Sequence, residues 1–141
     1  ACLLGDIGWH EHPDYRAEIC FDNATRANLG GLKHAERVFL GLSLMHRYRN
    51  QRKGHKFENL FSLLSQEQMR MAEILGKAMR LGAMMWVNKE ETNAKLFWAP
   101  DAKALQLVLE GDAVSLYGEV AEARLKSLAR AMNASFAFQA K

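Results

Sequence analysis

The chain has 141 residues, of which 49% are apolar and 25% charged, with only two prolines. This length suits one hydrophobic core, and the composition excludes disordered and fibrous proteins. We predict one domain over residues 1–141, taken from a longer chain because no initiator methionine precedes Ala1. Apolar runs are far shorter than the roughly 20 residues that span a bilayer, so no membrane segment is predicted.

The two cysteines favour a reducing compartment. The spacing of Cys2 and Cys20 matches neither a metal site nor a redox motif. Buried thiols therefore fit better than a disulfide scaffold, and we expect a cytoplasmic protein.

Two helices are predicted in the first third of the chain. Pro13 suits a first helical turn and Asp14 complements the helix dipole, which predicts a helix from about Asp14 to Asn28. A second helix is predicted from about His34 to Tyr48. Its apolar residues recur at helical spacing at Val38, Leu42 and Met45.

A long helix is predicted from Gln66 to Val87. Ser65 and Gln68 form a capping-box signature at its start. The helix is apolar on more than one side, which is typical of a buried helix. Gly76 and Gly82 lower helix propensity, and the close approach of a neighbouring helix would explain both.

The last third of the chain mixes strands with a helix. Residues 96–98 and 105–109 flank a Pro100-Asp101 turn signal and predict a hairpin. A helix is predicted from about Ala113 to Met132, and residues 135–139 alternate as a third strand would. The predicted fold class is mainly α, with a helical part over about 1–90 and a hairpin plus helix over about 94–141.

A dense basic cluster is the sharpest chemical feature, since no acidic residue lies between Arg37 and Phe57. Arginine binds phosphate oxygens bidentately and lysine adds point charge, so the cluster predicts a phosphate-rich anion as ligand. The alternative is a solvated helix end followed by a basic loop. By charge alone nucleic acid would fit equally well, but it is not expected, because Tyr48 is the only aromatic residue inside the cluster and no stacking platform is apparent. The predicted phosphate-binding residues are His46, Arg47, Arg49, Arg52, Lys53, His55 and Lys56, with Arg80 added as a lone cation in an apolar segment.

A few residues near the start invite a metal-site interpretation. Asp6 follows an apolar helical turn, and His10, His12 and Asp14 alternate around a turn. One turn without a distant further ligand is a poor metal site, so a polar loop before a helix is favoured. No catalytic residue is predicted, because the chain has no phosphate-binding glycine loop, nucleophile elbow or Cys/His catalytic pair.

Several segments occur in one order over nearly the whole chain. They are Leu3 to Trp9, His12 to Tyr15, Leu42 to Arg49, Ile74 to Met85 and Arg124 to Lys126. In this order and spacing they resemble the C-terminal portion of bacterial-type exopolyphosphatases of the Ppx/GppA family. The resemblance implies an HD-domain-like helical bundle with a small hairpin or three-stranded sheet. The histidine of the HD pattern is replaced by Gly5, which argues against independent metal hydrolysis.

The resemblance also implies a function. An actin-like N-terminal catalytic region would be the missing partner, and it would use magnesium or manganese to hydrolyse terminal phosphate. This domain, with no cofactor and no catalysis of its own, would hold inorganic polyphosphate and join in a homodimer. Three alternatives remain open: guanosine pentaphosphate as the substrate, a residual metal phosphohydrolase centred on Asp6, His10 and His12, and a dimerisation or regulatory module.

Overall fold

The computed structural model describes residues 10–49, 56–85 and 93–141. These residues form four α-helices, two short 3-10 helices and a small sheet near the C-terminus, which confirms the mainly helical fold class. Backbone contacts divide the chain into two compact units, Ala1–Met79 and Arg80–Lys141, called here the helical unit and the C-terminal unit. No helix within the described ranges is long and apolar enough to cross a bilayer. The single domain and its HD-like arrangement stay predictions.

The helical unit is built mainly from three helices. Helix α1 spans Arg16–Arg26 and α2 spans His34–Tyr48. Helix α3 spans Gln66–Met84, and its residues up to Met79 belong to the helical unit. The bounds of α2 agree with the prediction, and α1 is two residues shorter at each end than predicted. A 3-10 helix at Glu58–Leu63, which the sequence patterns did not indicate, lies between α2 and α3.

The start of α3 is closed by the predicted capping box. The backbone N–H of Ser65 donates to Gln68 Oε1 at 2.9 Å, and the N–H of Gln68 donates to Ser65 Oγ at 3.1 Å. Both amides would otherwise lack an intrahelical acceptor, so the reciprocal pair stabilises the first turn. Burial of the helix is only partial: Ala72 is fully buried, whereas Met71 is 51% exposed.

Phe21 is the centre of the main core of the helical unit. Its ring is fully buried, stacks on Phe57 with 4.5 Å between centroids, and meets the edge of Phe61 at 5.6 Å. Helix α2 comes close to this ring at Gly41, where an added Cβ would lie 3.0 Å from Phe21 Cδ2. Cys20, next to Phe21 in α1, is also buried, as predicted.

The two glycines of α3 have different surroundings. A Cβ at Gly76 would lie 2.5 Å from His46 Cβ and would also overlap the carbonyl oxygen of Ser43, so α2 and α3 meet there almost backbone to backbone. This confirms the predicted close approach at Gly76. At Gly82 the prediction is wrong, because no atom of the described residues outside the helix's own backbone lies within 4 Å of an added Cβ.

The C-terminal unit contains the sheet. Strand β1 (Ala94–Ala99) pairs antiparallel with β2 (Ala104–Leu109), from Ala94 opposite Leu109 to Ala99 opposite Ala104. Strand β3 (Ser135–Ala140) lies parallel to β2 on its other side, which makes β2 central. Helix α4, Glu119–Met132, links the parallel strands and packs against both. The predicted hairpin and third strand are confirmed.

The prediction that a helix begins at about Ala113 is wrong, because the first turns of the predicted range are not α-helical. Residues Gly111–Leu116 form a 3-10 helix, and Gly118 is extended at the N-cap of α4, with φ −132° and ψ −173°. Between them, Tyr117 stacks on Phe138 of β3 with centroids 3.6 Å apart and rings 3° from parallel. The chain therefore leaves the helical path to place this ring against the sheet.

The phenol of Tyr117 makes the stability of the C-terminal unit depend on pH in the alkaline range. Burial raises the pKa of Tyr117 above its usual value of 10.0, and Glu122 raises it further. A group whose pKa is raised on folding contributes stability below its unfolded pKa, and this contribution is lost as pH rises through the folded pKa. We expect wild type to lose stability relative to Tyr117→Phe only above about pH 10. Urea unfolding of both proteins between pH 7 and 11 measures this, and parallel curves would contradict it.

Candidate phosphate-binding surface

The described part of the basic cluster lies at the end of α2 and just before the first 3-10 helix. Arg47 is in the last turn of α2 and is half-buried, whereas Lys56 is exposed. Both cations lie near aromatic rings: Arg47 Cζ is 5.6 Å from the centroid of Tyr48, and Lys56 Nζ is 4.7 Å from that of Phe57. The predicted residues Arg52, Lys53 and His55 fall in 50–55, outside the described residues.

His46 is not part of this surface. The residue is only 1% exposed, and its Cβ lies at the contact between α2 and Gly76 of α3. The prediction that His46 contacts phosphate is therefore not supported by its position. The sequence did indicate that His46 is buried, because it follows Val38 and Leu42 at intervals of four residues, on the buried side of α2.

Arg49 is engaged by the segment around the start of α1. Its Nη2 donates to the backbone oxygen of Asp14 at 2.6 Å, and its Nη1 lies 3.8 Å from Glu18 Oε1. Both contacts join residues that are far apart in sequence, so spacing alone could not reveal them. Arg49 ties the end of α2 to the turn before α1, and its charge is partly balanced by Glu18.

Arg80 belongs to the C-terminal unit and has a second arginine beside it. Burial lowers the pKa of Arg80, and the charge of Arg124 lowers it further. Both side chains are half-buried, and neither forms an ion pair with a residue of the described ranges. Two neighbouring guanidinium groups repel each other, and an anion placed between them would relieve the repulsion. Arg124 was not among the predicted site residues, although it lies on the helical period of α4.

The candidate metal residues that the structure describes lie on an exposed turn. His12 Nδ1 accepts a hydrogen bond from the backbone N–H of Asp14 at 3.4 Å and lies 3.5 Å from Asp14 Oδ2. His10 is exposed as well, and Asp6 lies outside the described residues. Within the described ranges, no group of three or more His, Cys, Asp or Glu side chains could hold a metal ion. His12 thus stabilises the turn that leads into α1.

A comparison with known protein families found a match over most of the chain. The sequence model described as the C-terminal part of exopolyphosphatase matches residues 1–138. The match covers nearly the whole chain, and the protein therefore belongs to the exopolyphosphatase C-terminal family. No curated protein matches the sequence.

Proposed function

We propose that this chain holds inorganic polyphosphate for the catalytic region of a cytoplasmic exopolyphosphatase. The observation that carries the proposal is the stretch from Arg37 to Phe57, which has no carboxylate and is part of a family domain named for this enzyme. The proposal assigns bond cleavage, with its magnesium or manganese ion, to the catalytic region that precedes this domain in the family.

Charge matching supports a chain of phosphates as the ligand. Polyphosphate carries regularly spaced negative charges, so it favours several cations in succession over one closed pocket. Arg47 and Lys56 stand on either side of residues 50–55, where the sequence adds Arg52 and Lys53. Arg49 contributes less than predicted, because Asp14 and Glu18 already engage its guanidinium.

Salt-dependent titration tests the proposal. The full chain, shown to be folded by circular dichroism, is titrated with long-chain polyphosphate at increasing sodium chloride concentration. We expect the logarithm of the association constant to fall linearly with the logarithm of salt, by about 0.7 per phosphate contact if polyphosphate behaves as single-stranded polyanions do. A folded chain that does not bind polyphosphate at the lowest salt concentration would refute the proposal.

A homodimer formed through β1 is the second proposed function, and the edge of the sheet supports it. Among the described strands β1 pairs only with β2, and its central residues Leu96, Phe97 and Trp98 are 44%, 50% and 44% exposed. Edge strands are normally protected by charges, prolines or bulges. The one charged residue of β1, Lys95, lies 3.5 Å from Glu110 Oε1. An apolar edge of this kind is suited to pairing with another strand.

A second copy of β1 fits this edge. Antiparallel pairing about Phe97 would place Phe97 opposite its counterpart and Leu96 opposite Trp98 of the other copy, which are favourable cross-strand pairs. We expect Phe97→Lys to convert the dimer to a monomer, because two lysines would face each other across the axis. Val120→Lys is the matched control, since Val120 is 58% exposed on α4. Sedimentation velocity measures both; a monomeric wild type or a dimeric Phe97→Lys protein excludes this interface.

A further inference from the structure

A groove in the C-terminal unit lies where α4 ends and β3 begins. Its volume is about 550 Å³, and it is an open surface groove, not an enclosed pocket. Its polar lining residues are Lys126, Arg130, Asn133 and Ser135. Phe136 and two alanines supply the apolar part of the lining. The groove shares no residue with the basic cluster at the end of α2.

The two cations of the groove are available to a ligand. Lys126 and Arg130 are four residues apart on α4 and therefore lie on one side of it. Both are exposed, and neither forms an ion pair or side-chain hydrogen bond with a described residue. The two positive charges repel each other, so an anion bound between them would be stabilised by both.

The end of α4 is capped by backbone groups and not by the side chains of these two cations. Asn133 adopts the left-handed conformation, with φ 53° and ψ 45°, and caps the helix with its backbone. Its N–H donates to the carbonyl oxygen of Arg130 at 3.1 Å, and the N–H of Ala134 donates to that of Ala129 at 2.9 Å. Because backbone donors satisfy these carbonyls, the side chains of Lys126 and Arg130 are left for another acceptor.

The remaining lining of the groove suits a planar group. Phe136 is half-buried at the start of β3 and lines the groove together with Ala129 and Ala134. The Asn133 side chain carries both a donor and an acceptor, and Ser135 adds a hydroxyl whose contact with the Lys103 carbonyl is long, at 3.5 Å. A bare phosphate chain would leave this apolar surface uncovered, whereas a nucleobase would cover it.

We propose that this groove binds a nucleoside triphosphate. The base of the nucleotide stacks on Phe136, and the polar edge of the base contacts Asn133 and Ser135. The phosphates of the nucleotide lie between Lys126 and Arg130. This goes beyond the polyphosphate-holding function, because it uses other residues and requires a planar ring in the ligand.

Three ligands of related structure test the groove in the full chain: ATP, adenosine and inorganic tripolyphosphate. By isothermal titration we expect ATP to bind more tightly than either of the others. Phe136→Leu keeps an apolar side chain but removes the ring, so ATP affinity should fall by about 5-fold to 150-fold, the range for base stacking on an aromatic residue. Tripolyphosphate affinity should stay unchanged in this variant.

Charge removal completes the test. Lys126→Gln with Arg130→Gln should weaken ATP binding by at least about tenfold, as expected for two lost charged hydrogen bonds. The control with equal charge change, Arg26→Gln with Lys33→Gln, should leave it unchanged. Equal affinities for ATP and tripolyphosphate, or groove variants that bind ATP like wild type, would overturn the proposal. The groove variants should bind long-chain polyphosphate at the basic cluster with wild-type affinity, so the two proposals can fail separately.

Discussion

Gly76→Ala should lower the free energy of unfolding by about 2 kcal/mol, although alanine is the better helix former. The added Cβ would lie 2.5 Å from His46 Cβ and overlap the carbonyl oxygen of Ser43. Overpacking of a core typically costs about 1–3 kcal/mol, occasionally more, and the overlap with backbone atoms of α2 places Gly76 at the upper end of that range. The gain in helix propensity returns about 1 kcal/mol. Urea unfolding followed by circular dichroism gives the difference.

Gly82→Ala is the matched control, because it makes the same change in the same helix. No described atom outside the helix's own backbone lies within 4 Å of an added Cβ at Gly82. We therefore expect this variant to be more stable than wild type by about 0.5–1 kcal/mol. If both variants changed the free energy of unfolding by the same amount and in the same direction, the close backbone contact between α2 and α3 at Gly76 would be refuted.

The second large effect is expected on polyphosphate binding. A fourfold variant removes the charges of the basic cluster that remain candidates for phosphate contact: Arg47→Gln, Arg52→Gln, Lys53→Gln and Lys56→Gln. If each of the four contacts one phosphate, the slope of log affinity against log salt should decrease by about 3. Affinity at low salt should fall by more than about tenfold, because a single charged hydrogen bond contributes about 1.5–3 kcal/mol and 1.4 kcal/mol corresponds to a factor of ten.

The control for this variant removes the same charge elsewhere. Its four substitutions are at exposed cations outside the cluster: Arg26→Gln, Lys33→Gln, Lys103→Gln and Lys141→Gln. A local binding surface predicts that the control keeps nearly the wild-type slope. If the two fourfold variants lost affinity equally, only the net charge of the chain would matter, and the cluster would not be a site.

Most of the fold could be predicted because its signals are local. The interval between Val38, Leu42 and Met45 defined α2, and Ser65 with Gln68 defined the start of α3. The start of α4 was predicted too early, because periodicity alone does not register the extended Gly118. The stacking of Tyr117 on Phe138 is a tertiary contact between residues 21 positions apart, so no local pattern contains it.

The candidate site was less predictable, because a basic run in sequence does not state where each side chain lies. His46 and Arg47 are neighbours in the chain, yet His46 is buried while Arg47 reaches the surface of the helical unit. Arg49 donates to Asp14 across 35 residues, which charge counting cannot detect. Arg80 was chosen as a lone cation in an apolar helix, and the neighbouring Arg124 emerged only from the structure.

Two glycines determine how α2 packs inside the helical unit. Gly41 lets α2 meet Phe21 of α1, and Gly76 of α3 meets the backbone of α2 at Ser43 and His46. Successive helical residues are separated by about 100° around the axis. A helix held by close contacts on those two sides cannot rotate without losing one of them, and every residue of α2 from Gly41 to His46 is buried. The rotational setting of α2 is thus fixed by two interior positions that have no side chain.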